Sequence, residues 1–174
     1  MRIGINCLGI NASYQGGINT YTLGLIRGFA NVGSGHKFTL LVQPENHEMF
    51  SRFSVYRNFE LIVISSTHSL VSKLLQRLAL YSGSQRLYKK TNDLVFVDES
   101  KILDEHSDII YTPTTVLRIF SCSKPSLLSM HDIQQFYYPE FFTRRELLTR
   151  KILFGLSAQS ATCFQASSNF INHN

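Results

Sequence analysis

The sequence predicts an α/β fold built on a mostly parallel sheet with helices on both faces. Two patterns predict it. Short runs of β-branched and apolar residues alternate along the chain with longer segments whose apolar residues recur at helical spacing. The strand-like runs lack a regular polar face, which is typical of strands that are covered on both sides. The length of 174 residues is that of one domain with its own core.

The amino-terminal segment predicts a strand over residues 2–8, a loop over 9–17 and a helix that follows at once. The loop ends on Gly16 and Gly17, and two adjacent glycines permit positive φ and a close approach to the backbone. A helix that begins here directs unpaired N–H groups and its positive end at the loop, which suits a phosphate. The alternative is a sharp strand-to-helix turn that binds nothing.

The same segment disfavours a nicotinamide or flavin enzyme. The G-x-G-x-x-G fingerprint of dinucleotide-binding proteins is absent, and no acidic residue ends the second predicted strand at the expected distance.

The remaining elements follow from runs of apolar residues and from turn signals. Strands are predicted over residues 37–42, 59–64, 108–111, 125–130 and 161–166. Helices are predicted over residues 46–53, over 69–90 with a break at Gly83, and over 144–160 with a Thr143–Glu146 capping box. Residues 94–97 fit either a short strand or the start of a helix. Ser167 and Ser168 are expected to cap whatever follows.

The basic composition raises the question of an anionic partner, because the net charge is +5 and the pI is about 9.2. The basic residues concentrate in the predicted helices 69–90 and 144–160, without the interleaved aromatics of single-strand binders, so nucleic acid is disfavoured. The first of these helices has an apolar stripe at Val71, Leu74, Leu75, Leu78 and Tyr81. The favoured interpretation is that this stripe covers the sheet. The alternative is an interfacial helix on anionic lipid.

Cysteine usage and hydropathy predict a cytoplasmic protein without a structural metal. Cys7, Cys122 and Cys163 are far apart, and no Cys/His spacing of a metal site occurs. The sequence has no signal-peptide pattern at its start and no apolar run of about eighteen residues.

A second candidate site follows the predicted strand 125–130. Residues 131–142 combine His131, the carboxylates of Asp132 and Glu140, and five aromatic side chains. Ligands of open α/β sheets bind at the carboxyl ends of the strands, and an imidazole there can bind a sugar or phosphate oxygen or transfer a proton. A His131–Asp132 pair that only fixes the loop is an equally good interpretation.

Several short motifs resemble those of the N-terminal domain of family 4 retaining glycosyltransferases. They are GGINTY at 16–21, DIIYTP at 108–113, SMHDIQ at 129–134, YPEFF at 138–142, and Ser157-Ala158 leading to ASSNF at 166–170. The resemblance covers nearly the whole chain. It is greatest to mannosyltransferases of surface polysaccharide and lipopolysaccharide synthesis.

The resemblance implies that residues 1–174 form the Rossmann-like, acceptor-side half of a GT-B fold. The nucleotide-sugar domain, with its pair of acidic residues, would lie in a C-terminal half absent from this chain. The donor would be a nucleotide sugar such as GDP-mannose, the acceptor a saccharide or a lipid-linked saccharide, and no metal or other cofactor would be needed. The chain alone is predicted to be inactive, and the complete enzyme to work in the cytoplasm, with peripheral contact at the inner face of the membrane.

The resemblance also implies roles for single residues. Gly16 and Gly17 would approach the donor diphosphate, and His131 would be the catalytic residue that contacts the transferred sugar. The acceptor side would comprise Tyr111, Thr112, Asp132, Gln134, Tyr138 and Glu140.

A function of another class stays open at this point. The same scaffold could serve as a non-catalytic module that docks on glycan or anionic lipid through the aromatic loop and the basic helices. The lipid-facing residues would then include Arg144, Arg145, Arg150 and Lys151.

Overall fold

A computed structural model of the chain describes residues 1–11, 13, 16–33, 35–65 and 69–172. Parts of the predicted loop 9–17, the turn residue Ser34 and the last two residues lie outside this part of the chain.

The described residues form one parallel sheet of six strands. The spatial order is β3-β2-β1-β4-β5-β6, and every neighbouring pair is parallel. The order reverses between β1 and β4, which makes the carboxyl ends of these strands a topological switch point. The strands are β1 (Arg2–Asn6), β2 (Lys37–Val42), β3 (Phe59–Val63), β4 (Ile109–Thr112), β5 (Ser126–Met130) and β6 (Cys163–Ala166).

Helices connect the strands, as the alternating pattern predicts. They are α1 (Gly17–Val32), α2 (His47–Ser51), α3 (Leu70–Tyr81), α4 (Gln85–Val95), α5 (Val97–His106), α6 (Gln134–Tyr137), α7 (Arg144–Ser160) and α8 (Asn169–Asn172). Three short 3₁₀ turns cover Pro44–Asn46, Arg52–Val55 and Pro139–Phe141. The predicted Thr143–Glu146 capping box is confirmed, and Ser168 accepts a hydrogen bond from the N–H of Ile171.

The two faces of the sheet are covered by different helices, since side chains alternate along each strand. On one face Ile5, Leu40 and Tyr111 pack in a cluster with Ile26 of α1. On the other face Leu41 and Ile110 pack with α5, and Leu128 packs with Ile152 and Leu156 of α7. The predicted α/β sheet with helices on both faces is confirmed.

The helical segment after β3 differs from its favoured prediction. Its break occurs at Gly83, which has a φ of +72°, and the ambiguous residues 94–97 form the junction of α4 and α5. The apolar stripe of α3 does not cover the sheet. Leu74 is 56% exposed and Leu78 is 57% exposed, whereas Ala79 is buried. Periodicity identifies the residues that share a face, but it does not say which face turns inward.

None of the helices in the described part of the chain is long and apolar enough to cross a bilayer.

Candidate functional site

A cleft of about 850 Å³ opens at the carboxyl ends of β1, β4 and β5, at the switch point of the sheet. Its walls come from six separate parts of the chain. They are Gly9 and Asn11 after β1, Gly17–Asn19 at the start of α1, Thr114–Val116 after β4, His131 and Asp132 after β5 with Ser167 after β6, and Arg150, Leu153 and Phe154 of α7. The start of α1 and the histidine after β5 therefore line the same cleft.

The start of α1 presents backbone N–H groups to this cleft. The cap residue Gly16 makes no side-chain hydrogen bond, and the first turn contains no acidic residue. The N–H groups of Asn19 and Thr20 donate to the carbonyl of Gly16 over 3.1 and 3.2 Å. Those of Gly17 and Ile18 have no intrahelical acceptor, and the helix dipole places partial positive charge here.

Gly17 serves by its small size and not by an unusual backbone conformation. Gly16 has a φ of −128°, and Gly83 is the residue with positive φ within the described chain. The glycine pair permits a positive φ, but neither Gly16 nor Gly17 has one. A Cβ added at Gly17 would meet no heavy atom within 4 Å. Among the described residues, none occupies the place that a Gly17 side chain would take.

His131 is held by a backbone carbonyl and an aromatic ring. Its Nε2 lies 2.8 Å from the carbonyl oxygen of Pro113, and the ring of Tyr21 stands edge-on with centroids 4.6 Å apart. Because a carbonyl can only accept, Nε2 carries the proton in this contact. In the neutral ring Nδ1 is then a hydrogen-bond acceptor.

The carboxylate of Asp132 binds groups other than the imidazole of His131. Its Oδ1 accepts from the N–H of Gln134 over 2.7 Å, which starts α6, and its Oδ2 lies 3.3 Å from Nη1 of Arg150. The interpretation of residues 131 and 132 as a tethering pair is therefore not supported, since each has its own partner.

Arg150 also lines the cleft, although the sequence suggested it only as a residue that contacts anionic lipid. Its Nη1 donates to Oε1 of Gln135 over 2.9 Å, and its guanidinium lies 4.4 Å from the centroid of the Phe142 ring. The side chain is 30% exposed and lines the cleft. The alternative that Arg150 contacts lipid stays a prediction. No spacing in the sequence links position 150 to position 132, because the packing of α7 against β5 brings them together.

Tyr111 and Thr112 lie below the cleft and do not line it. The hydroxyl of Tyr111 is 2.6 Å from Oγ of Ser129 and 2.9 Å from the hydroxyl of Tyr21. Burial raises the pKa of Tyr111 above its usual range. Thr112 is 1% exposed and points to the opposite face of the sheet. Contact of either side chain with an acceptor would require it to leave these positions.

The other predicted acceptor-side residues lie on the surface beyond the cleft lining. Gln134 begins α6, and Glu140 is exposed in the 3₁₀ turn that follows. Tyr138 is 52% exposed and stacks on Phe141 with centroids 5.7 Å apart. The structure therefore brings Gly17, His131 and Asp132 together. It leaves Gly16, Gln134, Tyr138 and Glu140 outside the lining.

The described residues contain no group of three His, Cys, Asp or Glu side chains that could hold a metal ion.

No protein-family model matches this sequence, and no curated protein sequence matches it. Among solved structures, the crystal structure of Arabidopsis thaliana UGT89C1 complexed with UDP-L-rhamnose matches the chain with a TM-score of 0.48 and 13% sequence identity. The match covers 98% of this chain and 49% of that one. The chain thus spans about half the length of that structure.

Proposed function

We propose that this chain is the N-terminal, acceptor-side half of a retaining GT-B glycosyltransferase. The complete enzyme transfers a hexose from a nucleotide sugar to a saccharide or lipid-linked acceptor of surface polysaccharide synthesis. The motifs of the sequence indicate that the hexose is mannose and that the donor is GDP-mannose. The observation that carries the proposal is the shared cleft, where the start of α1, which has no side-chain cap, faces the same space as His131.

The start of α1 suits the leaving group of such a reaction. When the bond from sugar to phosphate breaks, negative charge grows on the nucleoside diphosphate. Fixed N–H dipoles at Gly17 and Ile18 stabilise that charge without having to reorganise. The guanidinium of Arg150 lines the same cleft and adds a full positive charge.

His131 suits the sugar. With Nε2–H donated to the carbonyl of Pro113, the free Nδ1 accepts a hydrogen bond from a sugar hydroxyl and so fixes the orientation of the ring. The second half of the enzyme binds the nucleotide, closes the cleft and excludes water. In this proposal the protein works in the cytoplasm, and no step requires a metal ion.

The test uses the complete gene product with labelled GDP-mannose and a membrane fraction that supplies acceptor. His131→Ala is expected to lower turnover about a hundredfold or more, while the midpoint of thermal unfolding changes little. His106→Ala is a matched control, since His106 is also half-buried and contacts a backbone carbonyl, that of Ile102 at 3.0 Å, but lies on α5 outside the cleft.

Equal activity of the two variants would overturn the role of His131. Transfer by the 174-residue chain alone at an enzymatic rate, on the order of 1 s⁻¹, would overturn the idea that this half needs a second one.

A further inference from the structure

The helix α3 exposes most of its large apolar side chains to the solvent and turns Leu80, with small and polar residues, to the protein. Ala79 is buried, and Ser72 and Gln76 are half-buried against the rest of the chain. Six large apolar side chains on the other side are between 51% and 84% exposed. They are Leu70, Val71, Leu74, Leu75, Leu78 and Tyr81.

These six side chains, the α3 face, form one continuous surface. At about 100° per residue they fall within an arc of about 140° on the helix. Isolated exposed apolar residues are normal, but a contiguous apolar patch of this kind marks a surface that binds something.

The charge around the α3 face is strongly positive. Besides Arg150, which lines the cleft and pairs with Asp132, eight basic residues lie on α3, α4 and α7, against two acidic ones, Asp93 and Glu146. Asp93 pairs with Lys89 at 2.8 Å, and Glu146 belongs to the capping box of α7. The eight basic residues are Lys73, Arg77, Arg86, Lys89, Lys90, Arg144, Arg145 and Lys151.

The α3 face continues onto the amino-terminal end of α7. The guanidinium of Arg145 lies 5.5 Å from the centroid of the Tyr81 ring. The loop just before α7 exposes two more large aromatic side chains, Phe136 at 71% and Phe141 at 75%. Apolar and aromatic side chains bordered by arginine and lysine are typical of a helix that lies in a membrane interface.

We infer that the α3 face docks on a bilayer surface rich in anionic phospholipid. The apolar side chains enter the boundary between head groups and acyl chains, with the helix axis parallel to the membrane, while Lys73 and Arg77 meet phosphate groups. A protein partner is a poorer fit, because the charge on the helices beside the α3 face is predominantly positive and matches a surface of uniform negative charge.

The helix α7 joins the α3 face to the cleft. Arg145 contacts the α3 face and Arg150 lines the cleft, and five residues along one helix correspond to about 7.5 Å. If the proposed transfer is correct, this suits an acceptor whose lipid part stays in the bilayer. The docking itself does not depend on that function.

The first experiment is flotation of the protein with vesicles of phosphatidylcholine, with or without phosphatidylglycerol. Binding is expected with the anionic vesicles and is expected to weaken as salt rises through the range where the Debye length falls below about 10 Å. Leu74→Glu with Leu78→Glu should lower the partition coefficient about tenfold or more. The matched control is Val32→Glu with Val55→Glu, two residues 82% and 79% exposed on other elements, which should bind like the unchanged protein.

The second experiment does not depend on how the acidic variants fold. The chain contains no tryptophan, so Leu78→Trp introduces a single reporter on the α3 face. Its emission is expected to shift to the blue with anionic vesicles and to be quenched by lipids brominated on the acyl chain. Val32→Trp at the end of α1, which packs on the other face of the sheet, should show neither effect.

Two outcomes would overturn the inference. One is that Leu78→Trp gives the same emission with and without anionic vesicles while the protein is folded. The other is that sedimentation shows a dimer that Leu74→Glu with Leu78→Glu converts to monomer, which would assign the α3 face to a second copy of the chain.

Discussion

The ring of Tyr21 stands edge-on to the imidazole of His131, with 4.6 Å between centroids and 73° between planes. The hydroxyl of Tyr21 also lies 2.9 Å from that of Tyr111, which anchors the ring to β4. Tyr21 is one turn beyond Gly17 on α1. One side chain thus joins the helix start to the histidine, and the relative position of the two halves of the candidate site depends on it.

Replacement of Tyr21 should disturb His131 without unfolding the protein. Tyr21→Ala removes the ring current at the imidazole, so the carbon-bound ring protons of His131 should shift in the NMR spectrum. Tyr21→Phe keeps the ring and loses only the hydroxyl contacts with Tyr111, Ser129 and Gln165, so these signals should stay close to their original positions. In the complete enzyme, Tyr21→Ala is expected to lower kcat/KM about tenfold, which corresponds to about 1.4 kcal/mol of transition-state stabilisation. Equal spectra for the two variants would show that Tyr21 does not position His131.

A side chain at Gly17 should block an anion while one at Gly28 should not. Both glycines lie on the exposed side of α1, and an added Cβ meets no heavy atom within 4 Å at either position. Gly17→Val and Gly28→Val are therefore expected to leave the free energy of unfolding in urea within about 1 kcal/mol of its original value. Binding of inorganic pyrophosphate, measured by calorimetry, should weaken about tenfold or more in Gly17→Val alone. Similar weakening in both variants would remove the start of α1 from the site.

Most strands could be predicted because they are short, apolar and bounded by turn residues. The bounds of β2, residues 37–42, are the predicted ones, and the other strands differ by one or two residues at their ends. Residues 94–97 could not be resolved, because an apolar run this short fits a strand and a helix junction equally well. The orientation of α3 was wrong for a different reason: its stripe is real, but only the packing of α4 and α7 decides which side of α3 is covered.

The site residues that follow the ends of strands could be predicted from the sequence. Those whose position depends on how a helix packs could not. Gly17 ends the loop that follows β1 and His131 directly follows β5, and a parallel sheet brings such positions to one edge. Arg150 is on α7, and its contact with Asp132 depends on the rotation of that helix about its axis. The buried placement of Tyr111 likewise depends on α1, whose Tyr21 covers it.

The ion pair of Arg2 and Asp108 predicts a pH dependence of stability. The backbone N–H of Arg2 donates to Asp108 over 2.7 Å and its guanidinium over 2.9 Å, and these contacts hold the pKa of Asp108 below its usual range. A carboxylate with a lowered folded-state pKa stabilises the protein above its unfolded-state pKa of about 3.9. This contribution is lost as the pH falls through the folded-state value.

Asp108→Asn should therefore reduce the stability at neutral pH and flatten its decline below about pH 4. The measurement is urea unfolding from pH 7 to pH 2 for both proteins. Glu105→Gln is a suitable control, because Arg2 contacts the backbone carbonyl of Glu105 and not its carboxylate. Parallel curves for the original protein and Asp108→Asn would mean that the link between the starts of β1 and β4 contributes nothing.

The three cysteines predict one fast-reacting thiol. Cys163 is exposed on the edge strand β6, whereas Cys7 is fully buried and Cys122 is partly buried. Burial, with a smaller effect of the Asp104 carboxylate, raises the pKa of Cys122 to about 12, and burial raises that of Cys7 further. Since the thiolate is the reacting form, Ellman's reagent at pH 8 should modify Cys163 quickly and the other two only when the protein unfolds.

Cys163→Ser should abolish the fast phase and Cys7→Ser should keep it. A fast phase that survives Cys163→Ser would place Cys7 or Cys122 in contact with solvent, against the packing of β1 and α5 described above.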